Sequence, residues 1–311
     1  MGKKRGLLLA VLFVALLGGL VWVLSRPTEP IYQGKPLGAW LNEFNGVPED
    51  TNQAAFVAFS QMGSNAIPAL LRIIQSDDSP LQRMILKLNR MQSLVPFPVR
   101  NTWPQKLAAS FALYAAGVKA KPALPLLTSL LFGTNTLVSI VIPIAWKGSD
   151  EGRFFQARCP AFLSALPLAG MGSEGLPPLI AALTNQNEFI RLSAAFGLAW
   201  ERSDLNIIVP ALIGRLSDQE WVVHTTAVTV LGHLHAEQGL AVPALIKDFP
   251  GNDPLLRSSI MWALGRFETN ARAAVPMLLE ALSDTDPTVR GDAAITLKQI
   301  DPEAAAKAGV K

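Results

Sequence analysis

A proline beside aliphatic residues recurs four times at one interval. The segments LPPLIAAL, VPALIGRL, VPALIKDF and VPMLLEAL place Pro177, Pro210, Pro243 and Pro276 each 33 residues apart. The same interval carries Arg191, His224, Arg257 and Arg290, then Ala194, Ala227, Ile260 and Ala293, then Leu198, Leu231, Leu264 and Leu297. A fixed period of this size marks a stacked repeat rather than a single globular core. Proline suits the first turn of a helix, where its missing N–H would be unsatisfied anyway, and the apolar spacing that follows each one is helical. Polar breaks come next (TNQNE, SDQE, GNDP, SDTDP), each supplying an Asp or Asn able to cap a second helix such as FIRLSAAFGLAW or TVRGDAAITLKQI. Each unit is therefore a helical hairpin. Neither helix can bury its apolar face alone, so the hairpins must stack, and the expected fold is an all-α solenoid with four regular units from about residue 172.

The N-terminal half repeats the theme with wider spacing. AIPALLRII at Pro68 and ALPLLTSLL at Pro125 each follow an Ala-rich run ending in Gly. Their distances, 57 residues from Pro68 to Pro125 and 52 from Pro125 to Pro177, require insertions, placed near Met91–Trp103 and Phe132–Glu151 and expected to be surface loops. Ahead of these units, YQGKPLGAWLNEF sets Leu37, Trp40, Leu41 and Phe44 at i, i+3, i+4 and i+7. That single apolar stripe is what a helix covering the open end of a stack needs. At the other end, DPEAAAKAGVK gives a polar exit after Ile300.

Residues Gly6–Leu24 are nineteen consecutive uncharged, mostly apolar residues, enough as a helix to cross the ~30 Å hydrocarbon layer of a bilayer. Lys3, Lys4 and Arg5 precede them, so the positive-inside bias keeps residues 1–25 as a cytoplasmic tail and transmembrane anchor, with the remainder outside the cytoplasm. The apolar core is longer than that of a cleaved signal; if Gly6–Ser25 were removed, the body would be secreted. Residues 26–35, with Pro27 and Pro30, read as an extended spacer, and 36–311 as the repeat domain.

The units VPALIGRLSDQEWVVHTTAVTVLGHL and VPMLLEALSDTDPTVRGDAAITLKQI resemble HEAT repeats. Members of that family typically show a Pro in the first helix, an Asp in the turn and a Val-Arg pair opening the second helix, matched here by Pro276, Asp286, Val289 and Arg290. His224 departs from the Arg, so the ladder of turn Asp to Arg contacts usual in the family is not expected there. YQGKPLGAWLNEF is similar to the stretch after the anchor in some bacterial anchored HEAT proteins, which implies an inner-membrane protein with a periplasmic body. The resemblance implies a right-handed superhelix and a protein-binding scaffold, with enzymes as occasional members.

Chemistry is thinly represented. His233 and His235 are two apart and point in different directions on a helix, no His-Glu dipeptide of the kind found in HEAT-type metal hydroxylases occurs, and no GxSxG is present, so no metal, cofactor, small-molecule substrate or enzymatic activity is expected. Cys159, in an apolar context, reads as a buried thiol. Asp253 with Arg257, and Asp286 with Arg290, are spaced as helix cap and pair. Setting aside Lys3, Lys4 and Arg5, the 27 Lys and Arg fall to 24, equal to the 24 Asp and Glu, which removes the electrostatic excess a nucleic-acid binder needs.

One pair of columns stands out. On the second helices, the position two past the core alanine reads Phe196, Thr229, Trp262 and Ile295, and the position six past it Trp200, His233, Arg266 and Gln299. Both columns share a face. Phe196, Trp200, His233, Trp262 and Arg266 would form an aromatic and cationic patch of the kind found at binding hot spots, on the concave side of the stack. The competing reading packs these rings between neighbouring second helices. The expected function is a membrane-tethered, non-enzymatic scaffold for a protein or peptide partner. The alternatives are a HEAT-like bilin lyase or chaperone, a DNA glycosylase-type enzyme, or a structural component of the cell envelope.

Overall fold

The computed structural model describes residues 29–44, 53–76, 103–133, 142–145, 153–156, 160–251 and 253–310. The apolar segment Gly6–Leu24, the insertion at 91–102 and Cys159 lie outside the described residues.

The chain enters through a hairpin. Ile31–Tyr32 (β1) pairs antiparallel with Lys35–Pro36 (β2) across Gln33 and Gly34, whose φ values of 50° and 74° fit the twist of a tight two-residue turn. The stretch expected to be an extended spacer thus ends folded against the body. Leu37–Glu43 (α1) follows, with Leu37, Trp40, Leu41 and Phe44 all buried, as a capping stripe should be. Trp40 donates its indole N–H to the Tyr32 carbonyl at 3.3 Å, and the Lys35 ammonium sits 4.0 Å from its ring centroid.

Two layers of helices build the rest. Gln53–Met62 (α2), Trp103–Ala116 (α4), Pro160–Gly170 (α6), Glu188–Leu198 (α8), Trp221–Leu234 (α10), Pro254–Gly265 (α12) and Pro287–Ile300 (α14) each pack on the next. Beside them run Ile67–Gln75 (α3), Leu124–Leu131 (α5), Leu176–Ala182 (α7), Leu205–Ile213 (α9), Gln238–Asp248 (α11) and Val275–Ala281 (α13). The even-numbered row is the set of second helices, and α1 closes its first end against α2 and α4. At the other end the tail is no plain exit: Pro302–Lys307 (α15) folds back on α14, started by the Asp301 carboxylate on the Ala304 N–H and closed by Gly309 at φ 74°.

The repeated columns are the core. Ala194, Ala227, Ile260 and Ala293 are fully buried, as are Leu198, Leu231, Leu264 and Leu297. Glycine allows close approach within the row: a Cβ on Gly232 of α10 would lie 2.7 Å from the Ala263 Cα of α12. The prolines differ in role. Pro68, Pro125, Pro177 and Pro276 stand in the first turn of their helices after a short 3-10 turn, whereas Pro210 and Pro243 lie inside α9 and α11, which start about one turn earlier than expected. For α9 the early start is supported by the Asp204 carbonyl, which accepts from the Ile207 and Ile208 N–H groups.

Two features depart from a plain helical stack. Ile142–Ala145 (β3), within the second insertion, and Arg153–Gln156 (β4), just past its expected end at Glu151, form an antiparallel ribbon, with β4 lying against α10. The β-branched run VSIVIPI is the signal for it, and a two-stranded ribbon tolerates Pro143 because each strand has a free edge. Ala54–Gln75 is, among the described residues, the one stretch long and apolar enough to cross a membrane by length and composition. Gly63 at φ 54° breaks it into α2 and α3, and Ala58, Phe59 and Leu70 are buried in the core, so it is a hairpin of the stack.

Candidate interaction site

A ladder of polar contacts runs along the turns and fixes the spacing of the second helices. Arg191 donates bidentately to Asp218 of the following unit, both bonds 2.8 Å, and also to the Asn185 and Gln186 carbonyls of its own turn. Arg257 also reaches the following unit, donating through Nη2 to Asp284 at 2.8 Å. Burial alone would raise the Asp218 carboxyl, but the hydrogen bond and charge of Arg191 outweigh it and hold the group below its ordinary value. The Asp284 carboxyl is also held low, first by the Asp286 N–H and then, against burial, by Arg257. At His224 the ladder changes as expected: the imidazole Nε2 lies 2.7 Å from Asp248, and Trp221 donates to Asp253 at 3.1 Å. Asp253 and Asp286 do cap α12 and α14 through backbone N–H groups. Their expected pairing with the arginine four residues on is replaced by other contacts: Arg257 reaches the next turn, and Arg290 donates to the Asp284 and Thr285 carbonyls.

The two offset columns do not share one environment. Phe196 is 3% exposed and stacks on Phe162 with centroids 4.7 Å apart, so it belongs to the interior. Trp200 is half-buried, edge-on to Phe111 at 5.7 Å and Tyr114 at 5.8 Å, and its carbonyl accepts from the Tyr114 hydroxyl. These two rings extend an aromatic seam that passes through Phe111 to Phe44 at the capped end. Thr229 is 2% exposed and donates to the Thr225 carbonyl one turn back. Further along, Trp262 is half-buried beside the gap left by Gly232, while Ile295 is 58% exposed and Arg266 and Gln299 are exposed. The columns are packing in α8 and α10; on the next two helices Trp262 is half-buried, as Trp200 is, and Arg266, Ile295 and Gln299 are open surface.

Basic groups gather where the second helices end. Arg202 donates through Nη2 to His233 Nε2 at 2.9 Å. Burial first, then the charges of Arg202, Arg266 and His235, push the His233 imidazole down to about 4, so it is neutral near pH 7 and accepts the arginine N–H. The nearby Glu201 carboxylate is only 4% exposed and is occupied by the Arg202 and Ser203 N–H groups and the Ser203 hydroxyl. Burial, reinforced by Glu201 and opposed by Arg202, raises the Tyr114 phenol. Arg202 is a member of this cluster that the 33-residue columns missed, because it sits past the helix end, out of register with Arg266. Among the described residues no three His, Cys, Asp or Glu side chains gather as metal ligands would.

The sequence pattern of HEAT repeats matches residues 242–308, which hold α12, the turn ladder at Asp284 and α14. Over those residues the chain carries HEAT repeats. No curated protein matches it in sequence. Among solved structures, an engineered protein aligns with 88% of this chain and 71% of its own at 18% identity and a TM-score of 0.41. Human deoxyhypusine hydroxylase in complex with glycerol aligns with 86% of this chain and 96% of its own at 17% identity and a TM-score of 0.36. At such scores neither likeness assigns a role to any residue. The matched HEAT repeats are also the part of the chain where the second-helix columns open to solvent.

Proposed function

We propose that this chain is a membrane-tethered, non-enzymatic scaffold that holds a protein partner on the surface of its last second helices. Gly6–Leu24 would serve as the anchor, and the repeat body would face the periplasm of a bacterial cell. The observation that carries the binding site is the contrast within one column: Phe196 and Thr229 are buried, while Trp262 is half-buried and Ile295 is 58% exposed on adjacent helices. Ile295 stands on the helix packed beside the one that carries Trp262 and Arg266, and Trp and Arg are the residues that most often carry binding energy. Proteins built from HEAT repeats generally mediate protein interactions, which agrees with this use of the surface.

Photo-crosslinking in intact cells from positions 262 and 295, compared with position 247 on the first-helix face, tests the reading. A protein captured from 262 and 295 but not from 247 supports it. Equal capture from all three positions, or none, removes the site. Tethering is tested separately by protease accessibility: a body that is digested in intact cells, or stays digestible in spheroplasts only when detergent is added, would contradict the periplasmic placement.

A further inference from the structure

We infer that the open face takes an acidic protein segment in extended, polyproline-II-like conformation, with carboxylates three residues apart. The inference rests on the scaffold reading above and deepens it by naming the chemistry of the partner.

Charge supplies the first part. Arg266 is exposed, and no hydrogen bond or ion pair engages its guanidinium among the described residues. Arg202 is exposed and directed by His233, which is neutral and accepts from it instead of repelling it. The acid closest in sequence to Arg202, Glu201, is turned inward onto backbone N–H groups and Ser203. The exposed groups there that can donate to a ligand include two guanidiniums and, one helix further on, the Gln299 amide. Guanidiniums bind carboxylates as charge-assisted, often bidentate pairs.

Spacing supplies the second part. The Arg202–His233 pair marks the end of α10, Arg266 the end of α12, and Gln299 stands near the end of α14. Packed helices lie about 8–10 Å apart, so the donors are repeated at roughly that step across the row. A segment crossing the row in polyproline II conformation rises about 3.1 Å per residue with three residues per turn, and returns the same side to the surface every ~9 Å. One acidic residue in three would therefore meet one donor per helix. Trp262 offers the aromatic wall such a segment packs on, with Ile295 beyond it. A β-strand would alternate its side chains and face the donors only every second or fourth residue.

The test uses the full chain in detergent micelles and a fluorescein-labelled (Glu-Pro-Pro)3 peptide, read by anisotropy. Controls are a peptide of the same composition with its three glutamates contiguous, and (Lys-Pro-Pro)3. The expected result is binding of (Glu-Pro-Pro)3, weakened roughly tenfold by Arg266→Glu and clearly by Arg266→Gln, with the lysine peptide gaining on Arg266→Glu. Arg266 is exposed, so both variants should keep the helical circular dichroism of the parent. Equal binding of the contiguous-glutamate peptide overturns the spacing, and no binding of (Glu-Pro-Pro)3 overturns the proposal. Capture from position 262 in cells together with no acidic-peptide binding would leave the scaffold standing and this inference lost; absence of both would end both.

Discussion

Individual side chains set the acid sensitivity of this fold in two separate windows. An unfolded histidine takes its proton near pH 6.5, whereas His233 in the folded chain does so only near 4. Between those values the unfolded chain binds the extra proton, so stability is level above about pH 7 and falls as the pH drops from 6.5 towards 4. With the ring half-buried and solvent screening allowed for, the loss should be roughly 1–2 kcal/mol. Urea denaturation at pH 7.5 and 5.0 should show it, and His233→Gln should flatten the difference; an unchanged slope in the variant would discharge the histidine from the effect. The Asp218 and Asp284 carboxyls act lower down. Their folded values lie below the ordinary 3.8, so the stability they contribute is present above that value and is lost as the pH falls through their folded values. Asp218 is 3% exposed and Arg191 11%, so Asp218→Ala strands a buried guanidinium and should cost about 3 kcal/mol, read as a lowered urea midpoint. A cost below about 1 kcal/mol would make the pair no more than a surface contact. The residues of this ladder are readable in the sequence as the 191, 224, 257 and 290 column, but the partner in the next unit is not, since it stands 27 residues away across a stacking contact.

At the scale of helices, small residues decide how closely the second row packs. Gly232 faces the Ala263 backbone, and a side chain there must move α12 or displace Trp262, whose ring carbon would lie 2.9 Å from the new Cβ. Gly232→Val should therefore destabilise by about 1–3 kcal/mol and shift Trp262 fluorescence, whereas Gly291→Ala, with nothing near its Cβ position, should be neutral or slightly stabilising. A neutral Gly232→Val would mean that the approach of α10 to α12 does not depend on this glycine. The caps were readable in advance, because Asn187, Asp253 and Asp286 need only their own helix starts to act. The ribbon of β3 and β4 is legible in the sequence only as the β-branched run VSIVIPI, and such a run within an insertion gives the same pattern as a loop that packs on the surface.

For the whole molecule, stability should pass from neighbour to neighbour along the stack rather than through one centre. Removing residues 302–311 takes away α15 and the cover of Ala305 over α14. Hydrogen exchange should then quicken in α13 and α14 and remain unchanged from α1 to α6. Uniform loss of protection across the chain would instead describe a single cooperative globule. The sequence by itself determined the period, the hairpin in each unit, the buried Ala and Leu columns and the capped first end, because each of these follows from helical geometry within one unit and its repetition. Only the tertiary structure decided which members of a repeated column are surface. Phe196 and Trp200 meet Phe162, Phe111 and Tyr114 from the helices beside them, while Trp262 meets Gly232 and Ile295 meets water. Period places a side chain on a face; whether that face is filled depends on the volume of residues in neighbouring units, which the period does not specify.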